Sequence, residues 1–156
     1  MAFFKSILDR RLGLAKTGNL IARAGGAGNI FQITRPAVNA VITISAEGAT
    51  VANQRNITIT LKDSNGDAIN YAENFEIVLF SSSAMTDFVA TGGSTGIAAG
   101  ASGKILAVVA KKLFRALTTT AGVCEVIYTD TSTDAGYLAV RLPGGQIIPG
   151  GVITNT

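Results

Sequence analysis

The alternation of apolar and polar residues between positions 57 and 81 predicts two half-buried β-strands joined by a turn. Residues 57–62 read Ile-Thr-Ile-Thr-Leu-Lys, so the apolar side chains share one face of a strand and the polar ones share the other. Asn65 and Gly66 follow, and both tolerate the positive φ that a tight turn requires. Residues 75–81 then supply a second apolar face. Because two strands are not stable alone in water, the rest of the chain must cover these faces with a second sheet.

Further short strands are predicted along the chain, separated by turn residues. They cover residues 41–46, 87–91, 104–110, 113–118, 123–129, 137–142 and 146–154. Segment 87–91 is expected at a sheet edge, whereas the apolar run 104–110 is expected to be buried and to pair with 113–118. Pro149 fits an edge strand or a bulge. The pattern predicts an all-β, immunoglobulin-like sandwich of eight or nine short strands, without the Cys and Trp hallmarks of antibody domains.

The start of the chain departs from this pattern and is predicted to form a docking arm. Apolar residues recur at helical spacing between positions 3 and 12, which predicts a short amphipathic helix that needs a surface to lie against. Five glycines between positions 13 and 28 favour an extended or looped segment without a core of its own. The residue before Pro36 prefers extended geometry, which marks the start of the sandwich. The predicted domains are therefore residues 1–35 and 36–156.

Charge also separates the arm from the sandwich. Residues 1–33 hold five cationic side chains and one carboxylate, a net charge of 5 − 1 = +4, whereas the whole chain of 156 residues has a formal charge of +3. A basic arm on a near-neutral domain indicates that the arm meets an acidic surface, although a leader without any partner is the alternative. Hydrophobic residues make up 47% of the chain and aromatic residues only 6%, with no Trp, so the core must consist mainly of aliphatic side chains.

Few residues are available for covalent catalysis or metal binding. The chain has no His and one cysteine, Cys124, which lies in an alternating run and is expected in the core. These counts exclude Cys-His and Ser-His catalytic pairs, an internal disulfide and metal sites built from His and Cys. Residues 63–67 carry oxygens at alternate positions, as a calcium loop does. A plain turn is nevertheless expected, because the glycine is displaced and no carboxylate stands at the loop's twelfth position.

Carboxylates and cations were the remaining candidates for chemistry. Asp130 with Asp134, or Glu73 with Glu76, could form an acid-base pair, but both pairs lie among turn or strand-edge residues, where solvated surface charge is expected. The basic cluster consists of Lys111, Lys112 and Arg115. No aromatic stacking platform accompanies it, so nucleic-acid binding is not favoured, and no apolar run approaches the length of a membrane span. The sequence predicts a protein that is not an enzyme and that uses no cofactor or metal.

Several segments resemble small immunoglobulin-like structural proteins of tailed bacteriophages. They are ITITLKDSNGD at 57–67, GASGK at 100–104, KLFRA at 112–116, AGV at 121–123 and YLAVRLPGGQ at 137–146. The resemblance extends over residues 38–156 and implies a non-enzymatic, many-copy virion component that is assembled in the cytoplasm of a bacterial host. It also implies binding to the major capsid protein or other virion proteins, and a homo-oligomer in the assembly.

The leading hypothesis is a capsid decoration or cement protein that docks through its arm. The residues expected to contact the coat are Phe3, Phe4, Ile7, Leu8, Arg10, Arg11, Lys16 and Arg23. The apolar ones would bury surface worth roughly 25 cal/mol per Å², and the cations would pair with acidic coat residues. One alternative is a subunit of a head or tail fibre, neck or tail adaptor. Another is a module that binds host-surface carbohydrate, against which the scarcity of aromatic residues argues.

Overall fold

The chain divides into two compact units, Met1–Pro36 and Ala37–Thr156, which are described separately. The residues that the computed structural model describes are 20–23, 30–33, 35–49, 51–132 and 135–155. In the first unit, β1 (Leu20–Arg23) and β2 (Ile30–Ile33) pair as antiparallel strands. The sequence predicted no strand pair here, because four-residue strands are too short to show a period of two among so many glycines. The helix predicted between positions 3 and 12 lies outside the described residues.

The second unit is a sandwich of two antiparallel sheets. Its strands are β3 (Asn39–Ile44), β4 (Gln54–Lys62), β5 (Asn74–Phe80), β6 (Gly96–Ala99), β7 (Lys104–Val109), β8 (Leu113–Leu117), β9 (Val123–Thr129), β10 (Gly136–Arg141) and β11 (Ile147–Ile153). One sheet has the order β11-β10-β5-β8-β7 and the other has the order β3-β4-β9-β6. The predicted all-β sandwich is therefore confirmed, and the described part of the chain contains no helix.

The strand order explains the immunoglobulin-like character. The four-stranded sheet matches the ABED sheet of a constant-type immunoglobulin sandwich, and β5, β10 and β11 match its CFG sheet. The β7–β8 hairpin adds two strands beyond β5, which widens the second sheet. The turn at Asn65 and Gly66 is confirmed: the Asp63 Oδ1 atom accepts hydrogen bonds from the backbone N–H groups of Asn65 at 2.8 Å and Asp67 at 3.1 Å. After this turn the chain crosses to the other sheet, so β4 and β5 do not pair.

The core lies between the two sheets and follows the alternation in β4. Ile57, Ile59 and Leu61 are fully buried, whereas the threonines between them are half-buried on the other side of the strand. The five-stranded sheet contributes Phe75, Ile77, Leu79, Phe114, Ala116, Leu138 and Val140. Cys124 is buried in the same core, as predicted. Burial, with the nearby Glu125 charge, raises the pKa of its thiol to about 11.

Within the sandwich, two strand predictions need correction, and one strand was not predicted. Residues 87–91 form no edge strand, since only Phe88 makes an isolated bridge, to Phe80. β7 exists but is not buried: it is the edge strand of its sheet, and its outward side chains have no layer over them. β6 was missed because it begins with Gly96, is only four residues long and is followed by Gly100. The other predicted strands agree with the observed ones to within three residues at each end.

Pro149 occupies the position that its chemistry requires. It lies on the edge strand β11 opposite Ala139, next to a register shift in the pairing with β10. Proline has no N–H for a ladder hydrogen bond, and an edge strand with a bulge does not require one there. Both parts of the prediction for this residue are therefore confirmed.

Candidate protein-binding face

The outward side of the five-stranded sheet is a surface that the strand register defines. Because Ile77 and Leu79 on β5 belong to the core, the alternating residues Glu76, Val78 and Phe80 point outwards. Directly opposed residues on antiparallel strands point to the same side of a sheet. The register therefore arranges the outward residues in rows that run across the strands. We name this surface the five-stranded face.

Three rows make up the five-stranded face. The first row consists of Val152, Tyr137 and Phe80. The second row consists of Pro149, Ala139, Val78, Leu113 and Val109. These two are named the apolar rows. The third row, named the charged row, consists of Ile147, Arg141, Glu76, Arg115 and Leu106.

The centre of the apolar rows forms a small cluster separate from the main core. Val78, Phe80 and Ala139 are buried although they point away from the space between the sheets. Met85, in the loop that follows β5, packs against them, and Phe88 from the same loop stacks on Phe80. The two ring centroids are 6.4 Å apart and the ring planes differ by 9°. The loop after β5 therefore covers the middle of the face.

The margins of the five-stranded face are open to solvent. Phe88, which bridges to Phe80 on the β8 side of β5, is 47% exposed, and Val152 on the edge strand β11 is 63% exposed. At the opposite margin, Leu106 is 69% exposed and Val109 is 40% exposed. Soluble monomers seldom present large contiguous apolar patches, and such patches with a polar border mark surfaces that bind other proteins. The five-stranded face combines this apolar surface with a charged border.

The charged row places one carboxylate between two guanidinium groups. The Arg141 Nη1 atom donates a hydrogen bond to the Glu76 Oε2 atom at 3.2 Å, and the Arg141 side chain is 54% exposed against 25% for Glu76. Arg115 stands opposite Glu76 on β8, is exposed and forms no ion pair with any residue that the structure describes. A groove of about 490 Å³ runs along this row, with Glu73, Pro143 and the three charged residues in its walls.

The outward side of the four-stranded sheet has a different character. Its central row consists of Thr43, Thr58 and Glu125. A neighbouring row consists of Val41, Thr60 and Val123, in which only the first residue is a largely exposed apolar side chain, at 51%. No stacked aromatic pair is found on this side among the described residues. We name this surface the four-stranded face.

Glu73 and Glu76, the first candidate acid-base pair, both lie in the groove but have different partners. The Glu73 Oε1 atom accepts a hydrogen bond from the backbone N–H of Asn74 at 3.0 Å. Burial, together with the charge of Glu73 and its hydrogen bond to the phenol, raises the pKa of Tyr71. Glu76 is paired with Arg141. The structure thus brings the two carboxylates to one groove and gives each a local partner.

Asp130 is not the solvated surface charge that the sequence predicted. It is fully buried, and its carboxylate accepts hydrogen bonds from the backbone N–H groups of Ser94 at 2.9 Å and Ser132 at 3.0 Å. Burial acts to raise the pKa of Asp130, but these hydrogen bonds outweigh it and the pKa is lowered. The Asn155 side chain donates to the Asp130 carbonyl oxygen at 2.9 Å, which ties the end of the chain to this site. Asp134 lies outside the described residues.

The predicted basic cluster separates into different roles. The Lys111 Nζ atom donates to the carbonyl oxygens of Gly93 at 3.1 Å and Ser94 at 2.6 Å, so this lysine anchors the loop before β6. Lys111 lies in the turn between β7 and β8, where its φ is 62°. Arg115 instead belongs to the charged row of the five-stranded face. Lys111 and Arg115 therefore do not belong to one patch.

The structure does not test the predicted arm residues. Phe3, Phe4, Ile7, Leu8, Arg10, Arg11 and Lys16 lie outside the described residues, and Arg23 is described only as the last residue of β1. The sequence analysis in turn did not single out the five-stranded face. One available signal was β5, where apolar residues at both alternating positions from Ile77 to Phe80 indicate burial on two sides.

The described residues contain neither a metal-binding cluster nor a helix suited to crossing a membrane. No group of three or more His, Cys, Asp or Glu residues in ranges 35–49, 51–132 and 135–155 could hold a metal ion. Within the part of the chain that the structure describes, there is no helix of the length and apolarity that crossing a membrane requires.

Comparisons with known proteins identify no family. No protein family model matches the chain, and no curated protein matches it. Among solved structures, the chain is similar to a cohesin module from Clostridium perfringens ATCC13124 family 33 glycoside hydrolase, with 14% sequence identity and a TM-score of 0.38. The match covers 77% of this chain and 94% of the cohesin module.

Proposed function

We propose that this protein is a non-enzymatic structural component of a tailed-bacteriophage virion, where it decorates the capsid by binding other virion proteins. The observation that carries the protein-binding part is the five-stranded face, with its open apolar margins beside a charged border. The assignment to a phage particle is supported by the sequence segments that resemble phage structural proteins. The net charge of +4 on residues 1–33 supports a docking role for the arm.

The size of the five-stranded face suits a role as one part of a larger interface. Five strands spaced about 4.8 Å apart span roughly 19 Å between the outermost strands, which is less than the side of about 28 Å of a square with the standard interface area of about 800 Å² per partner. Burial of its apolar margins would contribute at roughly 25 cal/mol per Å². An arm that binds elsewhere on the same particle would add to this affinity through its high effective concentration. A face and an arm together therefore make a stronger attachment than either one alone.

The four-stranded face fits the other requirement of a decorating subunit, which is a side turned to solvent. The two threonines and the glutamate of its central row can stay in contact with water at no cost in free energy. A subunit with one apolar and one polar outer face has a preferred orientation on a particle. The two faces thus support attachment through the five-stranded sheet with the four-stranded sheet outwards.

The copy number and position of the chain in purified particles test this proposal. Quantitative mass spectrometry of intact virions and of tail-less capsids should find hundreds of copies that stay with the capsid. A few tens of copies that leave with the tail would instead make the protein a neck or tail subunit. Absence of the chain from particles would overturn the virion assignment.

Removal of residues 1–33 tests the part played by the arm. The shortened protein should still fold and unfold cooperatively, because the sandwich has its own core between the two sheets. Its binding to particles stripped of the native protein should be lost or strongly weakened in a co-sedimentation assay. Full retention of binding by the shortened protein would exclude docking through the arm.

A further inference from the structure

We propose that Arg115 and Arg141 form a carboxylate-binding site at the border of the five-stranded face. The partner would place a carboxylate in the groove and an adjacent apolar side chain against Leu113 and Val109. The carboxylate belongs either to an Asp or Glu side chain or to a free chain terminus, since both present the same chemistry. The inference rests on the protein-binding part of the proposed function and adds the chemistry of the ligand.

The charged row holds two guanidinium groups and one carboxylate, so one guanidinium group is left without an ion pair. Glu76 lies between Arg141 and Arg115 in the strand register, but it forms its ion pair with Arg141. Arg115 has no ion-pair partner in the described chain and faces solvent. Each guanidinium group has five N–H donors, so Arg141 also keeps donors beyond its contact with Glu76. A second carboxylate can therefore enter the groove without breaking the existing ion pair.

The other carboxylate in the groove does not neutralise Arg115. Glu73 accepts a hydrogen bond from the backbone N–H of Asn74 and is hydrogen-bonded to Tyr71, so its carboxylate already has two partners, and no ion pair joins it to Arg115 in the described chain. Glu76 is also the least exposed member of the ion pair, at 25% against 54% for Arg141. The charge that an approaching molecule meets first is consequently cationic. This charge complementarity favours an anionic group over a cationic one.

The apolar rows supply the second half of the recognition. In the register, Arg115 lies between Glu76 and Leu106 in the charged row, and Leu113 and Val109 occupy the neighbouring apolar row. An amino acid whose carboxylate reaches Arg115 therefore has its own side chain or its neighbour beside an apolar surface. Exposed ion pairs alone are worth at most about 1 kcal/mol, so the apolar contact is needed to give measurable affinity. The expected ligand is thus a carboxylate next to an apolar residue.

Three small probes test the site by NMR spectroscopy on the full-length protein. N-acetyl-leucine carries a terminal carboxylate beside an apolar side chain, N-acetyl-aspartate amide carries a side-chain carboxylate, and N-acetyl-leucinamide is neutral. The Arg115→Gln and Arg141→Gln variants assign the two Arg Nε–Hε signals, and each variant removes one guanidinium group from the proposed site. Lys62→Gln, at the end of β4 on the other sheet, is the matched control for the loss of one cation.

The carboxylate probes should shift both arginine signals with saturation in the millimolar range, and the neutral amide should not. Either arginine variant should weaken binding about threefold to fivefold, whereas Lys62→Gln should leave it unchanged. Tighter binding of N-acetyl-leucine than of N-acetyl-aspartate amide assigns the site to a chain terminus, and the reverse order assigns it to an acidic side chain. Equal shifts with the neutral amide, or no shift with any probe, overturn the inference. Particle binding by wild-type protein is measured separately, so the failure of one idea is distinguished from the failure of the other.

Discussion

The two outer faces of the sandwich differ although both sheets bury the same kind of core. On the four-stranded face, threonines and a glutamate occupy the central row. On the five-stranded face, the corresponding positions hold Val78, Ala139 and Leu113, with an aromatic pair beside them. A sheet that faces only water needs one apolar side, and the four-stranded sheet meets this description. The five-stranded sheet has two apolar sides, and the loop after β5 covers only the middle of the second one.

This difference separates the apolar side chains that stabilise the fold from those that remain available for binding. The covered centre of the five-stranded face, around Phe80 and Met85, contributes to folding in the same way as the main core. The open margins, at Leu106 and Val152, contribute little to folding because water still reaches them. Apolar side chains at the margins therefore contribute little to folding, and the proposed binding role accounts for their exposure. Substitutions at the centre should lower the free energy of unfolding. Substitutions at the margins should weaken binding to particles and leave the free energy of unfolding nearly unchanged.

The largest effect is expected at the covered centre of the five-stranded face. Phe80→Ala removes the ring that stacks on Phe88 and packs beside Val78, and should lower the free energy of unfolding by about 3 kcal/mol. The matched variant Val41→Ala, on the four-stranded face, should cost less than about 0.5 kcal/mol because its side chain is half exposed. Urea denaturation measures both. Equal costs for the two variants would remove the distinction between the faces.

A slightly smaller effect is expected at Asp130, which belongs to neither face. Asp130→Asn removes the charge that accepts the hydrogen bonds from Ser94 and Ser132, and should lower stability at pH 7 by about 2 kcal/mol. The folded-state pKa of this carboxyl is lowered, so its contribution is present above the unfolded pKa of about 3.9 and is lost as pH falls through the folded pKa. The gap between wild type and variant should therefore narrow below about pH 4 in denaturation curves recorded at several pH values. A gap that stays constant down to pH 2 would contradict the role given to the charge.

A third prediction concerns the open margin at the β7 edge. Leu106→Asp combined with Val109→Asp should weaken binding to particles at least about tenfold, which corresponds to about 1.4 kcal/mol, because charge replaces apolar contact area. The unfolding midpoint should change little, since both side chains are exposed. Val41→Asp on the four-stranded face is the control and should bind as wild type does in the same co-sedimentation assay. If the control weakens binding equally, the attachment is not specific to the five-stranded face.

The smallest effect is expected from the ion pair of the charged row. Arg141→Gln should change the free energy of unfolding by less than about 0.5 kcal/mol, because an ion pair this exposed gains little over hydrated charges. Thermal or urea denaturation at low salt would reveal any larger value. A cost above 1 kcal/mol would mean that Arg141 serves the fold, and its assignment as a binding residue would lose its basis.

Strand positions could be predicted where one side of a strand is buried and the other side is exposed to solvent. The alternation in β4, β9 and β10 reports this situation directly, and those strands appear within three residues of their predicted ends. The prediction of a buried β7 was wrong for a physical reason. An uninterrupted apolar run is the same in sequence whether its second face is covered by protein or open to a partner. Only the place of β7 at the sheet edge separates the two cases.

The candidate site could not be predicted because it depends on register. Arg115, Glu76 and Arg141 are separated by many residues in the chain, and they become neighbours only when β8, β5 and β10 pair with the observed offsets. A shift of one residue in any of these pairings would turn one of the three side chains into the core. Arg115 lies close to Lys111 and Lys112 along the chain, but strand pairing places Arg115 in the charged row, whereas Lys111 binds the loop before β6.

The sequence by itself determined the class of fold, the apolar face of each alternating strand, the turn at Asn65 and Gly66, and the edge position of Pro149. These follow from local properties, namely the period of two and the backbone preferences of single residues. Tertiary structure alone decided which sheet each strand joins, which outer face stays open, and that Asp130 is buried instead of solvated. Those outcomes depend on contacts between residues far apart in the chain, because burial and charge pairing are set by what lies opposite a side chain in space.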